Sequence, residues 1–380
     1  MKDIDIIIPA VFEAPPLIKS RFRLLNTDWY PVFLNKARIE SMGYRIRFLD
    51  VFDLPGHKLS DTVIVDIRIK KNLIKKSSAT YDEKKNIILK FLSDVKENTK
   101  SLILFDNLDS SSILFYVMPY VDFYYKKQLL KDKSLYGSAL FGNRLFTDYY
   151  NKKYKVGEGD FSYPKNPQSN KLNMYLENKY KIGISWNILL AVNNFQSNFS
   201  RIKYILSKNL TLKYGDVDKD RKYIISANYF KDYKKSVISF QREKMYEFLS
   251  NHPLAGEFSL GTVPKKKYIT NMMESKFVVS PFGWGEVCYR DYEAFMAGAA
   301  LIKPDMSHLE TWPDLYIPYE TYFPISWDIE KWNDEFDNIL SDETRRKKIA
   351  KEGQDRFKAL WTEKGMQDFS ERFINLIEIN

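Results

Sequence analysis

Residues Ser275 to Asp305 read SKFVVSPFGWGEVCYRDYEAFMAGAALIKPD. An apolar run is followed by a glycine-rich turn, a helix-patterned stretch, a break of small residues at Gly298 and a second apolar run. Two apolar strands joined by a helix within about thirty residues bury themselves as a crossover unit of a parallel sheet. The turn and the helix start are also chemically loaded. Arg290 and Glu293 stand three residues apart, on one face of a first helical turn. A backbone-lined turn at a helix N-terminus attracts phosphate, an arginine adds a bidentate clamp, and a carboxylate one turn on can accept hydrogen bonds from a ribose diol. The window reads as a site for a nucleoside diphosphate.

The plainer alternative is a surface ion pair worth about 0.2–0.5 kcal/mol. Against it stands the run Glu293-Ala294-Phe295-Met296-Ala297-Gly298, whose small and apolar residues place the helix in the interior. Buried charges need partners, and a ligand's phosphates and ribose would provide them. Gly283 and Gly285 flank Trp284 in a turn expected to take positive φ or to let a ligand approach closely. Lying between strand and helix, this is the context a phosphate-binding turn requires.

The rest of the chain repeats the alternation. Asp3 to Ile8 reads as a buried strand ending at Pro9, followed by a helical pattern closing at Gly43, a strand over Tyr44 to Leu49 and another over Thr62 to Ile67. Tyr81 to Val95 is an amphipathic helix with Ile87, Ile88, Phe91, Leu92 and Val95 on one stripe. Ser101 to Phe105 is a strand that runs into Asp106-Asn107-Leu108-Asp109. Asn151 to Tyr180 turns polar, as an inter-domain connection with a helix near its end. A second alternation follows: a strand over Tyr223 to Ala227, a helix over Gln241 to Leu249, a short helix over Tyr268 to Glu274, and the opening window. The tail from Thr344 to Ile379 is helical. The fold class is therefore α/β, with two Rossmann-type domains facing each other across a cleft. The division expected is 1–180 for the first domain and 181–365 for the second, with a helix over 366–380 packing back on the first.

Composition bounds the partners. A length of 380 residues accommodates two domains, and 44% hydrophobic residues exclude a disordered chain. The net charge of +10 calls for an anion: nucleic acid, an anionic membrane surface, or an anionic substrate. No Lys/Arg run exceeds four residues and no nucleic-acid-binding spacing stands out, so no nucleic-acid partner is expected. The single cysteine, Cys288, excludes an intrachain disulfide. It follows the glycine turn without a histidine partner nearby, and reads as a small buried residue rather than a nucleophile. The N-terminal run is too short and too acidic for a signal peptide. The longest apolar stretch, Ile113 to Tyr125, is interrupted by Pro119 and Asp122 and falls short of the ~18–20 residues of a spanning helix. The expected location is cytoplasmic, peripheral on the inner face of the plasma membrane.

The run Ser275-Lys276-Phe277, Pro281, Gly283, Arg290-x-x-Glu293-Ala294, Gly298, Leu301-Ile302 resembles the donor-binding motif of GT-B glycosyltransferases. It is most similar to the exostosin-like group, and also to the E-A-M-A-x-G segment of the large retaining families. The close match covers about thirty residues, and the two-half α/β layout extends it loosely along the chain. The resemblance implies a GT-B-like fold and a hexosyl or related transferase. Its donor is a nucleotide sugar and its acceptor a glycan or a lipid-linked glycan, as in bacterial surface polysaccharide or glycolipid assembly. It implies that Glu293 binds the ribose hydroxyls and Arg290 the pyrophosphate. Glu286, seven residues before Glu293, is an approximate match to the families' first glutamate, implying a contact with the donor sugar. Arg242 falls where a basic residue often meets the diphosphate, and Lys266 falls in the basic run before the short helix, where base contacts commonly lie. His308 follows the strand Ala300 to Lys303, in a loop able to reach the donor. No cofactor and no metal are expected, since the family holds the diphosphate with side chains and helix dipoles.

The acceptor side falls to the first domain. An inverting transfer needs a base for the acceptor hydroxyl. Asp106, at a strand's C-terminal end, is the first candidate, and Glu13, in the loop after the first strand, the second. Either could equally be a loop cap. Two rival readings remain open on the sequence. One is another two-domain nucleotide-sugar enzyme, an epimerase or a polyol-phosphate transferase. The other is a non-enzymatic basic protein that binds glycan or nucleic acid.

Overall fold

The computed structural model describes residues 1–9, 28–52, 54, 56–74, 80–157, 171–188, 212–231 and 236–378. The chain is α/β and GT-B-like: two Rossmann-type lobes, each built on a parallel sheet. The first sheet contains β1 (Lys2–Ile8), β2 (Tyr44–Asp50), β3 (Thr62–Asp66), β4 (Ser101–Asp106), β5 (Phe123–Lys126) and β7 (Ile182–Ile184), in the spatial order β2-β1-β3-β4-β5-β7. β6 (Gln128–Leu130) leaves this sheet. The second contains β8 (Tyr223–Ala227), β9 (Phe258–Leu260), β10 (Ser275–Val279), β11 (Ala300–Pro304) and β13 (Phe323–Ile325), in the order β13-β11-β10-β8-β9.

Both sheets are parallel throughout. Their central strands are covered on both faces and so read as continuous apolar runs. Register is pinned where charge enters: Asp5 on β1 lies opposite Arg47 on β2 and takes both guanidinium N–H groups, at 2.6 and 2.8 Å. In each lobe the strand order reverses beside its first strand, between β1 and β3 and between β8 and β10. Ligands of open α/β sheets bind beyond the strand ends at such switch points.

Three differences from the sequence reading matter. The first sheet takes β7, so it runs past residue 180. The helical tail is two helices, Glu343–Ala359 and Glu363–Ile377, broken where Thr362 accepts the Gly365 N–H as an N-cap. The second of them lies on the first lobe, where Phe369 and Phe373 share a core with Ile4, Ile6, Trp29 and Trp186. Third, the lobes are knit together. β6 pairs antiparallel with β12 (Leu309–Thr311), a ribbon made of one strand from each side. The Tyr292 hydroxyl donates to the Asn187 carbonyl at 2.6 Å, and Gln241 donates to the Tyr150 hydroxyl at 2.7 Å. One apolar cluster, containing Ile7 and Leu104 as well as Val278 and Leu301, runs through both lobes. Among the described residues no helix is long and apolar enough to cross a membrane.

Candidate functional site

A cleft of about 360 Å³ opens between the lobes. The second lobe contributes its wall through β10, the turn Gly283-Trp284-Gly285 and the helix Tyr289–Ala297. Asp291 fixes the start of that helix. Its fully buried carboxylate accepts the Cys288 N–H at 3.0 Å, the Ser280 hydroxyl at 2.5 Å and the Tyr316 hydroxyl at 2.7 Å, and it pairs with Lys303 at 3.1 Å. Gly298, at φ 63°, ends the helix in the left-handed conformation that glycine adopts without strain. Arg221 holds the last carbonyls, Ala297 and Gly298, at 3.0 and 2.7 Å.

Arg290 and Glu293 project from this helix into the cleft wall. They do not satisfy each other: Arg290 Nε and Glu293 Oε1 are both buried and without a hydrogen-bond partner among the described residues. The other carboxylate oxygen, Oε2, accepts the Tyr268 hydroxyl. Burial raises the Glu293 carboxyl to about 6, against the pull of Tyr268 and Arg290. A carboxylate that has left water with one oxygen unanswered stores a cost that a ligand hydroxyl would remove. The Arg290 guanidinium lies 5.3 Å from the Tyr229 ring, whose centre is 4.8 Å from the Arg242 guanidinium.

Arg242 lines the cleft, and it spends donors on the backbone: Nε on the Phe230 carbonyl at 2.7 Å and one Nη on the Phe282 carbonyl at 2.8 Å. It therefore braces the turn. Neither Gly283 nor Gly285 takes positive φ. The Gly283 N–H is used within the turn, on the Gly285 carbonyl at 3.0 Å. Gly285 is required for a different reason, since a Cβ there would stand 2.0 Å from the Asp109 carbonyl oxygen of the other lobe. Cys288 lines the cleft, and burial pushes its thiol up, away from the reactive thiolate.

The first lobe's wall is Arg68, Asp109 and Lys127. Arg68 follows β3 at the switch point. It donates to the buried Asp28 carboxylate and to the Asn107 carbonyl, both at 2.8 Å. Lys127 is buried, 3.6 Å from Asp109 and 3.9 Å from Asp28. Half of the Asp109 side chain is exposed, at 52%. Beside the turn, Glu286, Gln128 and His308 converge. Gln128 donates to Glu286 at 3.4 Å, and His308 Nε2 lies 3.6 Å from Glu286 Oε1. Glu286 Oε1, Gln128 Oε1 and both His308 nitrogens have no hydrogen-bond partner among the described residues.

Of the residues singled out in the sequence, Arg290, Glu293, Gly283, Gly285 and Arg242 meet in this cleft. Glu286 and His308 adjoin each other beside it without lining it. Lys266 is exposed and lies outside the lining. The residue of its helix that arrives is Tyr268, two positions on and so on another face. Asp106 is a correction. It is fully buried, paired with Lys126 at 3.0 Å and bonded to the Tyr124 hydroxyl, and it caps its own loop through the Leu108 N–H. A carboxylate so engaged has no access to an acceptor. Glu13 lies outside the described residues. Asp109, three residues past Asp106, is the carboxylate that the loop carries into the cleft. Among the described residues no group of three His, Cys, Asp or Glu side chains is placed to hold a metal ion.

No protein-family model and no curated protein matches the chain. Solved structures align along its whole length. One is an α-glucosyltransferase in complex with UDP and a 13-mer DNA containing a HMU base, at 10% identity over 97% of this chain and 99% of that one, with a TM-score of 0.47. Another is WaaG, a glycosyltransferase involved in lipopolysaccharide biosynthesis, at 10% identity over 99% and 100%, with a TM-score of 0.46. A third is Anabaena Alr3699/HepE in complex with UDP, at 7% identity over 99% and 99%, with a TM-score of 0.45.

Proposed function

We propose that the chain is a glycosyltransferase that moves a sugar from a nucleoside diphosphate donor to the hydroxyl of a glycan or lipid-linked acceptor. The observation that carries this reading is the pair Glu293 Oε1 and Arg290 Nε: polar atoms of opposite charges on one helical turn, both buried at a cleft wall and neither atom hydrogen-bonded among the described residues. A ribose diol on the carboxylate and a diphosphate on the guanidinium would complete both. Glu286, His308 and Gln128, whose unpartnered polar atoms lie beside the glycine turn, would support the wall against which the sugar sits. Asp109, across the cleft, would accept a hydrogen bond from the acceptor hydroxyl.

In the transfer, the bond from the anomeric carbon to the diphosphate oxygen breaks and a bond to the acceptor oxygen forms. The nucleoside diphosphate leaves with the electron pair, and the acceptor oxygen passes its proton to the Asp109 carboxylate. Arg290 and the first turn of its helix would stabilise the departing charge. The acceptor would be a precursor of surface polysaccharide or glycolipid. The test is release of nucleoside diphosphate from a panel of UDP-, GDP- and CDP-sugars with acceptor supplied. Release from one base class, lost in Arg290→Ala, is the expected result. Failure to bind or turn over any member of the panel would contradict the reading.

A further inference from the structure

Away from the cleft, the first lobe carries a groove of about 370 Å³ lined by Lys70, Lys71, Ile74, Tyr81, Lys84, Lys85, Ile88 and Tyr116. Four ammonium groups surround an apolar floor, and among the described residues no carboxylate lines it. The sequence builds this deliberately. Tyr81, Lys84, Lys85 and Ile88 fall at i, i+3, i+4 and i+7, one face of the helix Tyr81–Glu97. The adjacent acids are directed elsewhere: Glu83 turns back to the Thr80 N–H at 2.6 Å as part of a capping box, and Asp82 lies off this face. None of the four lysines has a carboxylate within ion-pair distance among the described residues. Lys85 instead lies 5.3 Å from the Tyr116 ring. Lys70 is half-buried, and burial lowers its pKa. Tyr81 is 75% exposed at the groove's edge.

Clustered, unneutralised ammonium groups repel one another and invite an anion. A soluble anion would satisfy the lysines and leave Ile74 and the Tyr116 ring in water. An anion carried at the edge of an apolar phase satisfies both, with the lysine stems lying along the apolar surface and the tyrosine at the boundary. We propose that this groove docks the chain on a membrane by taking the phosphate headgroups of anionic phospholipids between Lys70, Lys71, Lys84 and Lys85. The site is separate from the nucleotide cleft and does not depend on the reaction assigned to it.

The experiment is co-sedimentation of the full chain with vesicles of phosphatidylcholine alone, and with vesicles in which part of it is replaced by phosphatidylglycerol. Binding is expected only to the anionic vesicles, weakening as salt rises. Replacing Lys84 and Lys85 by glutamine, a residue of similar helix propensity, should lower the partition roughly 25-fold, at about fivefold per lysine. Lys90→Gln, which removes the same charge from the opposite face of the helix, should change it little. Nucleotide response and melting temperature serve as controls for an intact fold. Three results would overturn the docking groove. One is no sedimentation with anionic vesicles. The second is equal loss from Lys84→Gln and Lys90→Gln, which marks general attraction to net charge. The third is binding of soluble glycerol phosphate as tight as that of the vesicles.

Discussion

Gly285 is pressed against the main-chain carbonyl of Asp109, leaving no room for even a methyl group: a Cβ on Gly285 would stand 2.0 Å from that oxygen. The contact joins the glycine turn of one lobe to the loop after β4 of the other. The same Asp109 carbonyl accepts the Gln128 side chain at 2.7 Å. The glycine-turn wall of the cleft and the wall that carries Asp109 are thus in direct backbone contact.

Gly285→Ala is expected to wedge this junction apart. Overpacking of this kind costs about 1–3 kcal/mol, to be read as a fall in the urea midpoint. Because the cleft straddles the junction, nucleotide affinity should fall as well.

Asp106→Ala should destabilise rather than inactivate. It strips the partner from Lys126, whose side chain is fully buried, and a buried charge left alone costs about 3–5 kcal/mol. Denaturant unfolding measures this, and the double variant Asp106→Asn/Lys126→Met should recover part of the loss.

Asp109→Asn should separate the two walls in function. Nucleotide affinity, which the proposed function assigns to Arg290 and Glu293, should hold, while turnover with acceptor falls by roughly 10²-fold or more, the scale of general acid–base assistance. Steady-state rates beside nucleotide titration decide it.

Glu293 gives a pH signature with a defined sign. Its carboxyl titrates at about 6 in the folded chain, raised by burial from an ordinary 4.5. Between those values the folded chain holds a proton that the unfolded chain has released, so the unfolded state binds fewer protons and stability falls as pH rises through the window. Above it the ligand-free protein bears a cost of about 2 kcal/mol. Glu293→Gln should therefore be more stable than the parent by about that amount at pH 7 to 8, with the gain gone below about pH 4.5. Asp66, also buried and raised to about 6, contributes to both proteins and cancels in the comparison.

Much of this was legible in the chain. Periodicity marked the strands β1, β2, β4, β8, β10 and β11 and the helix Tyr81–Glu97, because long apolar runs and i, i+4 stripes are local signals. β5, β6, β7, β9, β12 and β13 were missed: at three or four residues each, they are too short to show a period. Arg290 and Glu293 were visible because turn, charge pair and apolar helix coincide in one window. Asp106 and Asp109 were both in view, and the choice between them failed for a physical reason. The side chain at the last position of β4 points into the sheet's flank, where Tyr124 and Lys126 of β5 await it, and β5 had not been recognised. Arg68 carried no local signal, since only the sheet order brings the end of β3 to the same cleft as the helix at residue 289.

Calorimetric titration of UDP, GDP and CDP into the parent and into Glu293→Gln tests the nucleotide site most directly. The account predicts that one of the three binds the parent, and that the variant, though folded and more stable at neutral pH, binds it at least tenfold more weakly, consistent with a charged hydrogen bond of about 1.5–3 kcal/mol. Equal affinity in the two proteins, or no binding of any of the three to the parent, would contradict it.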